Sequence, residues 1–347
     1  MDEPAIINAQ NPAGANAPAR PMPGLISAVV PVFNEAEGAD LLIARLRPAL
    51  QRCAQNYEII FVDDGSSDAT VGAIRRLRDN DPAIRAICFS RNFGKEIAIA
   101  AGLDHARGDV VVILDADLQH PPETIEAFVN RWREGYDNVY GVRTSRDADS
   151  PLRRWLTQRF YKLYDAFGET KLPAGAGDFR LLDRKAVDAL RLLGERARFN
   201  KGLYAWIGFR SIGVEFQVGE RAVGGSRFNF RKLTRFALDG LMSFSTLPLR
   251  VWTYVGSVIS IVSLVIGLYF FLQPLLHGVD VPGFATIIVS VMLLSGVQLM
   301  SLGILGEYIG RIFAEVKRRP LYIVDERIGM DSAQPRPQGL EERRQAP

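Results

Sequence analysis

Cysteine is nearly absent from this chain, with two in 347 residues. Cys53 falls on an expected helix and Cys88 in an expected strand, and neither has metal-ligand spacing. Two thiols cannot build a disulfide framework, so a disulfide-stapled secreted fold is excluded and a reducing cytosolic setting fits. No signal peptide is recognisable. Residues 1–24 are rich in Ala, Pro and Asn without an apolar core and read as a disordered leader, and residues 329–347 read as a disordered tail. No internal repeat occurs. The first expected strand runs into "NEAEG" rather than G-x-G-x-x-G, which disfavours a dinucleotide-dependent dehydrogenase. Net charge is only +3, and no basic stripe is interleaved with base-stacking aromatics, so nucleic acid is not an expected partner.

The charge that is present is uneven. Basic residues crowd into Arg143–Arg159, Arg221–Arg235 and Lys317–Arg319, a pattern suited to phosphorylated small molecules or an anionic membrane surface. Two stretches near the C-terminus hold no charge at all: "VWTYVGSVISIVSLVIGLYFFL" (251–272) and "FATIIVSVMLLSGVQLMSLGIL" (284–305). Each has about 20 residues, enough to span a bilayer as a helix. The link between them lacks Lys and Arg, whereas Arg250 precedes the first run and Arg311 and Lys317–Arg319 follow the second. The positive-inside rule puts the link outside and both chain ends in the cytoplasm. This is an expected multi-pass protein of the inner (cytoplasmic) membrane. The preceding "FNFRKLTRFALDGLMSF" interleaves apolar and basic residues as an interfacial helix does.

From Ile26 onward, strand-like and helix-like segments alternate. "ISAVVPV", "YEIIFVD", "AIRAICFS" and "DVVVILD" are the clearest strands, with helices expected over 36–55, 67–80 and 94–107 and a further strand in "NVYGVR". Such alternation predicts an α/β fold with a parallel, doubly wound sheet. The strand ends carry acids. "FVDDGSSDAT" ends the second strand with Asp63 and Asp64; Asp63 can accept hydrogen bonds from a base edge or a ribose hydroxyl, while Ser66, Ser67 and Asp68 read as turn and cap residues. "SRNFGKE" places Arg91 and Lys95 at the same edge, where phosphate could meet them. "VVVILDADLQHPPE" ends a buried run with Asp115 and Asp117. Two unpaired carboxylates so close repel unless a cation or a shared proton relieves them. His105 needs no role beyond the helix C-terminus, and His120 reads as a turn residue.

Taken in order, "VVPVFNEAEG", "VDDGSSDAT", "SRNFGKE", "DADLQHPPE" and "GDFRLLDR" resemble the glycosyltransferase family 2 enzymes that load a sugar onto a polyprenyl phosphate, such as dolichyl-phosphate mannose synthase and bactoprenyl-phosphate glucosyltransferases. The resemblance covers residues 25–325. It implies a GT-A nucleotide-binding α/β sandwich with an interfacial amphipathic helix and a two-helix transmembrane hairpin. It implies that Pro31, Asn34 and Glu35 contact the nucleotide, that Asp63 binds the base, and that Asp115 and Ala116 contact the diphosphate; Asp64, Arg91 and Lys95 join this nucleotide-sugar set. Asp117 and Gln119 match the family's ligands for Mg²⁺ or Mn²⁺, and one or two carboxylates suffice when phosphate oxygens and water complete the shell. Arg143, Arg221 and Arg227 match positions facing sugar and lipid phosphate. Arg227 and Phe228 stand where the family usually has Lys and Tyr, which keeps the charge and loses a hydroxyl. Asp178 matches the proposed acid/base position, with Asp117 the other residue expected to be essential for catalysis.

The resemblance therefore implies an inverting hexosyltransferase, with UDP-glucose the first expected donor, undecaprenyl phosphate the acceptor, the bilayer a partner, and homo-oligomers the expected assembly. The expected divisions are a leader (1–24), a catalytic domain (25–228), an interfacial helix (229–249), a hairpin (250–306), a C-terminal helix and strand (307–328) and the tail (329–347). Two other readings exist. A processive polysaccharide synthase would carry Q-x-x-R-W, but "LRRWL" lacks the Gln. A non-catalytic lipid-binding module would not need the intact set Asp115, Asp117, Gln119 and Asp178.

Overall fold

A computed structural model describes residues 6–10, 19–143, 176–196, 198–217, 256–259, 261–262, 265–266, 268–269 and 283–330. The chain divides into two compact units. One comprises Met1–Ala166, Thr170–Leu233 and Arg319–Pro347; the other comprises Phe167–Glu169 and Thr234–Arg318. The elements, in chain order, are β1 (Ile6–Gln10), β2 (Leu25–Val32), α1 (Ala39–Cys53), β3 (Asn56–Asp63), α2 (Thr70–Asn80), β4 (Ile84–Phe89), α3 (Lys95–His105), β5 (Val110–Ile113), α4 (Thr124–Arg133), β6 (Asn138–Arg143), β7 (Ala176–Asp183), α5 (Arg184–Leu192), α6 (Asn200–Trp206), β8 (Ser211–Phe216), α7 (Phe284–Val316) and β9 (Val324–Ile328).

The nine described strands form one sheet in the order β1-β8-β6-β7-β5-β2-β3-β4-β9. β5, β2, β3 and β4 run parallel as expected, and each is buried along most of its length because helices cover both faces. One apolar layer joins α1, α2 and α4 to Ala28, Val30, Phe61 and Val112. On the other face α3 packs closely on β2. A Cβ on Gly102 would stand 2.2 Å from a methyl of Val29, so only glycine permits that approach.

The sheet is mixed, not parallel throughout. β7 lies antiparallel between β5 and β6, with Ile113 opposite Arg180. It is the "GDFRLL" segment, whose strand character was not evident from its polar start. Two further strands close the edges. Ile6–Gln10 pairs antiparallel with β8, so this part of the expected disordered leader is ordered. β9 pairs antiparallel with β4. In both cases an edge strand with unpaired N–H and C=O groups supplies the partner that a short segment lacks alone.

At the amino edge of the parallel strands, Glu58 is 3% exposed. It accepts from Ser27 Oγ at 2.6 Å, Arg107 N at 2.7 Å and Arg85 Nη1 at 2.7 Å. Burial raises its pKa, but these bonds and the Arg85 charge outweigh that and hold it below the ordinary carboxylate value.

In the second unit, the described positions of 256–269 are helical, and α7 is one helix of 33 residues. Its Leu293–Val316 part is long and apolar enough to cross a membrane. The helix runs without a break through residue 306. The interfacial segment 229–249 lies outside the described residues.

Removing one partner of a buried ion pair leaves an uncompensated charge, at about 3–5 kcal/mol. Glu58→Ala is therefore expected to destabilise the unit that holds the sheet by that order, seen as a fall in the urea midpoint of the full chain in detergent. Because the folded carboxyl has the lower pKa, its contribution is complete above the unfolded pKa and fades as pH falls through the folded one.

Candidate active site

The parallel strands β2, β3 and β5 end at one edge of the sheet, and a cleft of about 200 Å³ opens there between Pro31, Glu35, Asp64, Lys95, Asp115 and Asp117. Each wall is fixed by a particular loop. After β2, Asn34 takes a left-handed backbone (φ 55°), which Asn tolerates better than most residues. Its Oδ1 accepts from Ser67 N at 2.9 Å and its own N–H donates to Ser66 Oγ at 2.9 Å. Thr70 Oγ1 accepts from Glu35 N at 2.9 Å. The serines expected as turn residues thus tie the first loop to the second.

Asp63 and Asp64 separate in function. Asp64 accepts from Phe93 N at 2.6 Å and Gly94 N at 2.9 Å, holding the loop that starts α3. Between them and that loop, Gly65 has φ 72°, and a Cβ would lie 2.5 Å from the Arg91 carbonyl carbon. Asp63 uses Oδ2 to accept from Ser66 N at 3.1 Å, while its buried Oδ1 has no partner among the described residues. Burial pushes its pKa up despite the bonds from Ser66. That oxygen can take a ligand N–H or O–H.

After β5 the burial alternates. Asp115, Asp117 and Gln119 are half-buried, whereas Ala116, Leu118 and His120 are buried. Three oxygen-bearing side chains therefore share the open side. Leu118 sits at φ 60°, unusual for a bulky residue, and its burial at 2% exposure anchors that conformation. Asp117 Oδ1 accepts from Gln119 N at 3.1 Å. His120 is more than a turn residue. It stacks on Phe179 at 4.9 Å, and its Nδ1 accepts from Asp115 N at 3.2 Å. Burial lowers its pKa, so it is a neutral acceptor and not a cation paired with the Asp115 carboxylate.

The antiparallel β7 completes the site. Extending the Ile113–Arg180 register by two residues sets Asp178 level with Asp115. Lys95, the first residue of α3, bridges them, with Nζ 2.6 Å from Asp115 Oδ1 and 3.1 Å from Asp178 Oδ2. Burial works against the charge on each, but the pairing prevails. It pushes the Lys95 ammonium up and holds the Asp178 carboxyl well below the usual range. Lys95, expected to face phosphate, here neutralises two acids.

The neighbouring Glu96 behaves oppositely. Burial first, and then the Asp178 charge, push its pKa up to about 7. Its carboxylate accepts from Asn200 N at 3.0 Å. Nothing in the sequence singles out Glu96, Arg180, Asn200 or Tyr204.

Residues 27–191 match the glycosyl transferase family 2 model, and residues 247–312 match the GtrB C-terminal hairpin. A glycosyltransferase of Synechocystis sp. is 47% identical over 88% of this chain and 96% of its own. The SfII prophage-derived bactoprenol glucosyl transferase of Shigella flexneri is 44% identical over 86% of this chain and 97% of its own. A prophage bactoprenol glucosyl transferase homolog of Escherichia coli K12 is 42% identical over 86% and 98%.

The chain belongs to glycosyl transferase family 2. Its catalytic unit has the GT-A α/β architecture, and the matched hairpin, with the apolar α7, associates it with the membrane.

In this transferase, the cleft collects Pro31, Glu35, Asp64, Lys95, Asp115, Ala116 and Asp117 of the expected donor set. Asn34 and Asp63 sit on the adjoining loops. Arg91 is exposed, with its guanidinium 4.0 Å from the Phe93 ring centroid. Arg143 is exposed at the end of β6, on the same edge of the sheet. Arg221 and Arg227 lie outside the described residues. Among the described residues no cluster of three or more His, Cys, Asp or Glu cages a metal. The open-sided oxygens of Asp117 and Gln119 fit a hard cation that keeps positions for phosphate and water.

The raised Glu96 pKa has a measurable sign. Between the unfolded value of 4.5 and about 7 the folded state holds a proton that the unfolded state has released. Stability from this group therefore falls as pH rises through that window, by at most about 1.4 kcal/mol per pH unit. Glu96→Gln is expected to remove that slope and be more stable than wild type above pH 7. Parallel urea titrations at pH 5 and 8 check this, and equal slopes in the two proteins would contradict it.

Proposed function

We propose that this enzyme transfers glucose from UDP-glucose to the phosphate of a polyprenol at the cytoplasmic face of the membrane, inverting the anomeric centre. The observation that carries the reading is the convergence of Asp63, Asp115, Asp117 and Asp178 on one sheet edge around Lys95, in a chain whose full-length relatives include bactoprenol glucosyl transferases. Asp63 receives the base through its unpartnered oxygen. Pro31, Asn34 and Glu35 line the nucleotide loop, and Ala116 lets the backbone approach the diphosphate.

Asp117 and Gln119 would hold Mg²⁺ or Mn²⁺, with Asp115 beside them toward the diphosphate. When bound, the ion offsets charge on the departing nucleoside diphosphate. Lys95, with Arg91 and Arg143 at the same edge, adds positive charge for the same purpose.

A phosphate monoester with a second pKa near 6 is already largely dianionic at neutral pH and needs little activation. Asp178, held ionised by Lys95, is a weak proton acceptor. Its better role is to fix Lys95 and orient the reacting groups, not to act as general base. Opposite-face attack then forms the sugar–phosphate bond as the bond to the nucleoside diphosphate breaks.

The domain reading places residues 25–228 in the cytoplasm, lays 229–249 on the membrane surface and threads 250–306 as a hairpin with its loop outside. Arg221 and Arg227 would then meet the lipid phosphate at headgroup depth. The absence of Q-x-x-R-W weighs against a processive synthase.

The direct test supplies UDP-glucose and undecaprenyl phosphate to the purified full chain and follows UDP release. Asp117→Ala should abolish transfer, raising the barrier by on the order of several kcal/mol, while the protein stays folded and membrane-bound. Near-normal turnover of that variant, or of wild type in excess chelator, would remove the metal from the reading.

A separate expectation concerns the acceptor. Losing one charge-assisted phosphate contact costs roughly 1.5–3 kcal/mol, or about ten- to a hundredfold. Arg227→Ala should weaken use of polyprenyl phosphate by that factor and leave UDP affinity unchanged by calorimetry, and Arg227→Lys should retain most activity. Equal loss in both measurements would reassign the segment to the donor.

A further inference from the structure

Behind the Lys95 bridge lies a set of polar atoms for which the described residues supply no use. Asp178 Oδ1, Arg180 Nε and the Tyr204 hydroxyl are all buried without a hydrogen-bond partner among the described residues. Such atoms are rare in folded proteins, and each is costly unless something fills its bonds. Three of them in one neighbourhood point to a ligand or to bound water.

The neighbourhood is set by the sheet. Asp178 and Arg180 are two apart on β7, so their side chains leave the same face. The Arg180 guanidinium lies 3.6 Å from the centroid of the Tyr204 ring on α6 and bonds the Gly177 carbonyl at 2.6 Å, which fixes it in place. Arg180 is 2% and Tyr204 3% exposed. Asp178 is the connection to the cleft, through Lys95 and Asp115.

Donors and acceptors narrow the ligand. Asp178 Oδ1 accepts, Arg180 Nε donates, and burial keeps the Tyr204 phenol protonated, so its hydroxyl can donate as well. An acceptor beside two donors is the complement of an alcohol: one hydroxyl can donate to Asp178 and accept from Arg180 or Tyr204.

We propose that this cluster receives a hydroxyl of the donor's sugar, making Arg180 and Tyr204 sugar-recognition residues that separate one hexose from another. The proposal rests on the transferase reading above and adds to it the place where the sugar is distinguished. A site built to bond a hydroxyl rejects the analogue that lacks it, because its buried groups are then left unpaired.

Tyr204→Phe is the informative variant, because it keeps the ring against Arg180 and removes only the hydroxyl. Without ligand the variant should be as stable as wild type, since it loses a hydroxyl with no partner. Calorimetry on the full chain in detergent should give UDP affinity within about twofold of wild type and UDP-glucose affinity about five- to tenfold weaker, the size of one neutral hydrogen bond. In a series of singly deoxygenated UDP-glucoses, one member should bind the variant and the wild type alike.

Three results would overturn the proposal. A less stable or unfolded variant would give the hydroxyl a structural role. Unchanged UDP-glucose affinity would leave the cluster to internal water. Equal weakening of UDP and UDP-glucose would spread the effect over the whole donor cleft. Failure of the wild-type chain to bind any nucleotide sugar or release UDP is a different outcome, which sinks the transferase reading and this proposal with it.

Discussion

The catalytic unit depends on one ammonium group placed between two carboxylates. Asp115 and Asp178 end neighbouring strands that run in opposite directions, and both point where the sheet opens to solvent. Without Lys95 they would repel across the partly buried cleft. With Nζ at 2.6 and 3.1 Å, it holds the two acids side by side and keeps Asp178 ionised. This places strict demands on what surrounds the lysine. Gly94 must start α3 at the strand edge with φ 102°, Asp64 must hold the Phe93–Gly94 backbone, and Gly65 must leave room for that loop.

Much of this was legible in the sequence, for a physical reason. Short β-branched runs such as Val110–Ile113 declare buried parallel strands, and acids at their ends declare a polar site at the carboxyl edge. Hence β2, β3, β4 and β5 and the residues Asp63, Asp115 and Asp117 could be placed before any coordinates. β7 could not. Its opening "AGD" carries no apolar alternation, and its strand character comes from neighbours on both sides. β1 escaped for the same reason, because an edge strand of five residues is defined by the partner that offers its hydrogen bonds.

Site partners that come from elsewhere in the chain were equally hidden. The sequence places Lys95 at an edge but does not reveal that two acids claim it. Glu96 looks like an ordinary first-turn acid favoured by the helix dipole. Its burial beside Asp178 and its bond from the Asn200 backbone are set by α6, more than a hundred residues away. The reverse holds for His120. Its place in "DLQHPPE" suggests a turn, whereas its ring belongs to the core formed by Phe179, Phe128 and Phe216. A polar residue beside a functional loop can thus be a packing element that holds the loop still.

The chain order adds a further constraint. The apolar hairpin is not appended to a finished catalytic unit, because Arg319–Pro347 belongs to that unit again. β9 covers the open edge of β4, Ser90 N donates to the Ile323 carbonyl at 3.1 Å, and Arg75 pairs with Glu326. Tyr322 stacks on Phe89 at 5.1 Å and donates to Asp104 at 3.0 Å, near the C-terminal end of the helix whose first residue is Lys95. The segment that follows the hairpin therefore braces the far end of α3 and caps the sheet edge that would otherwise invite another strand. A chain cut before Arg319 would lose more than a tail. The catalytic unit is complete only once the polypeptide has passed through the hairpin and come back, so folding of the sheet and insertion of the apolar segments are linked by the order of the sequence itself.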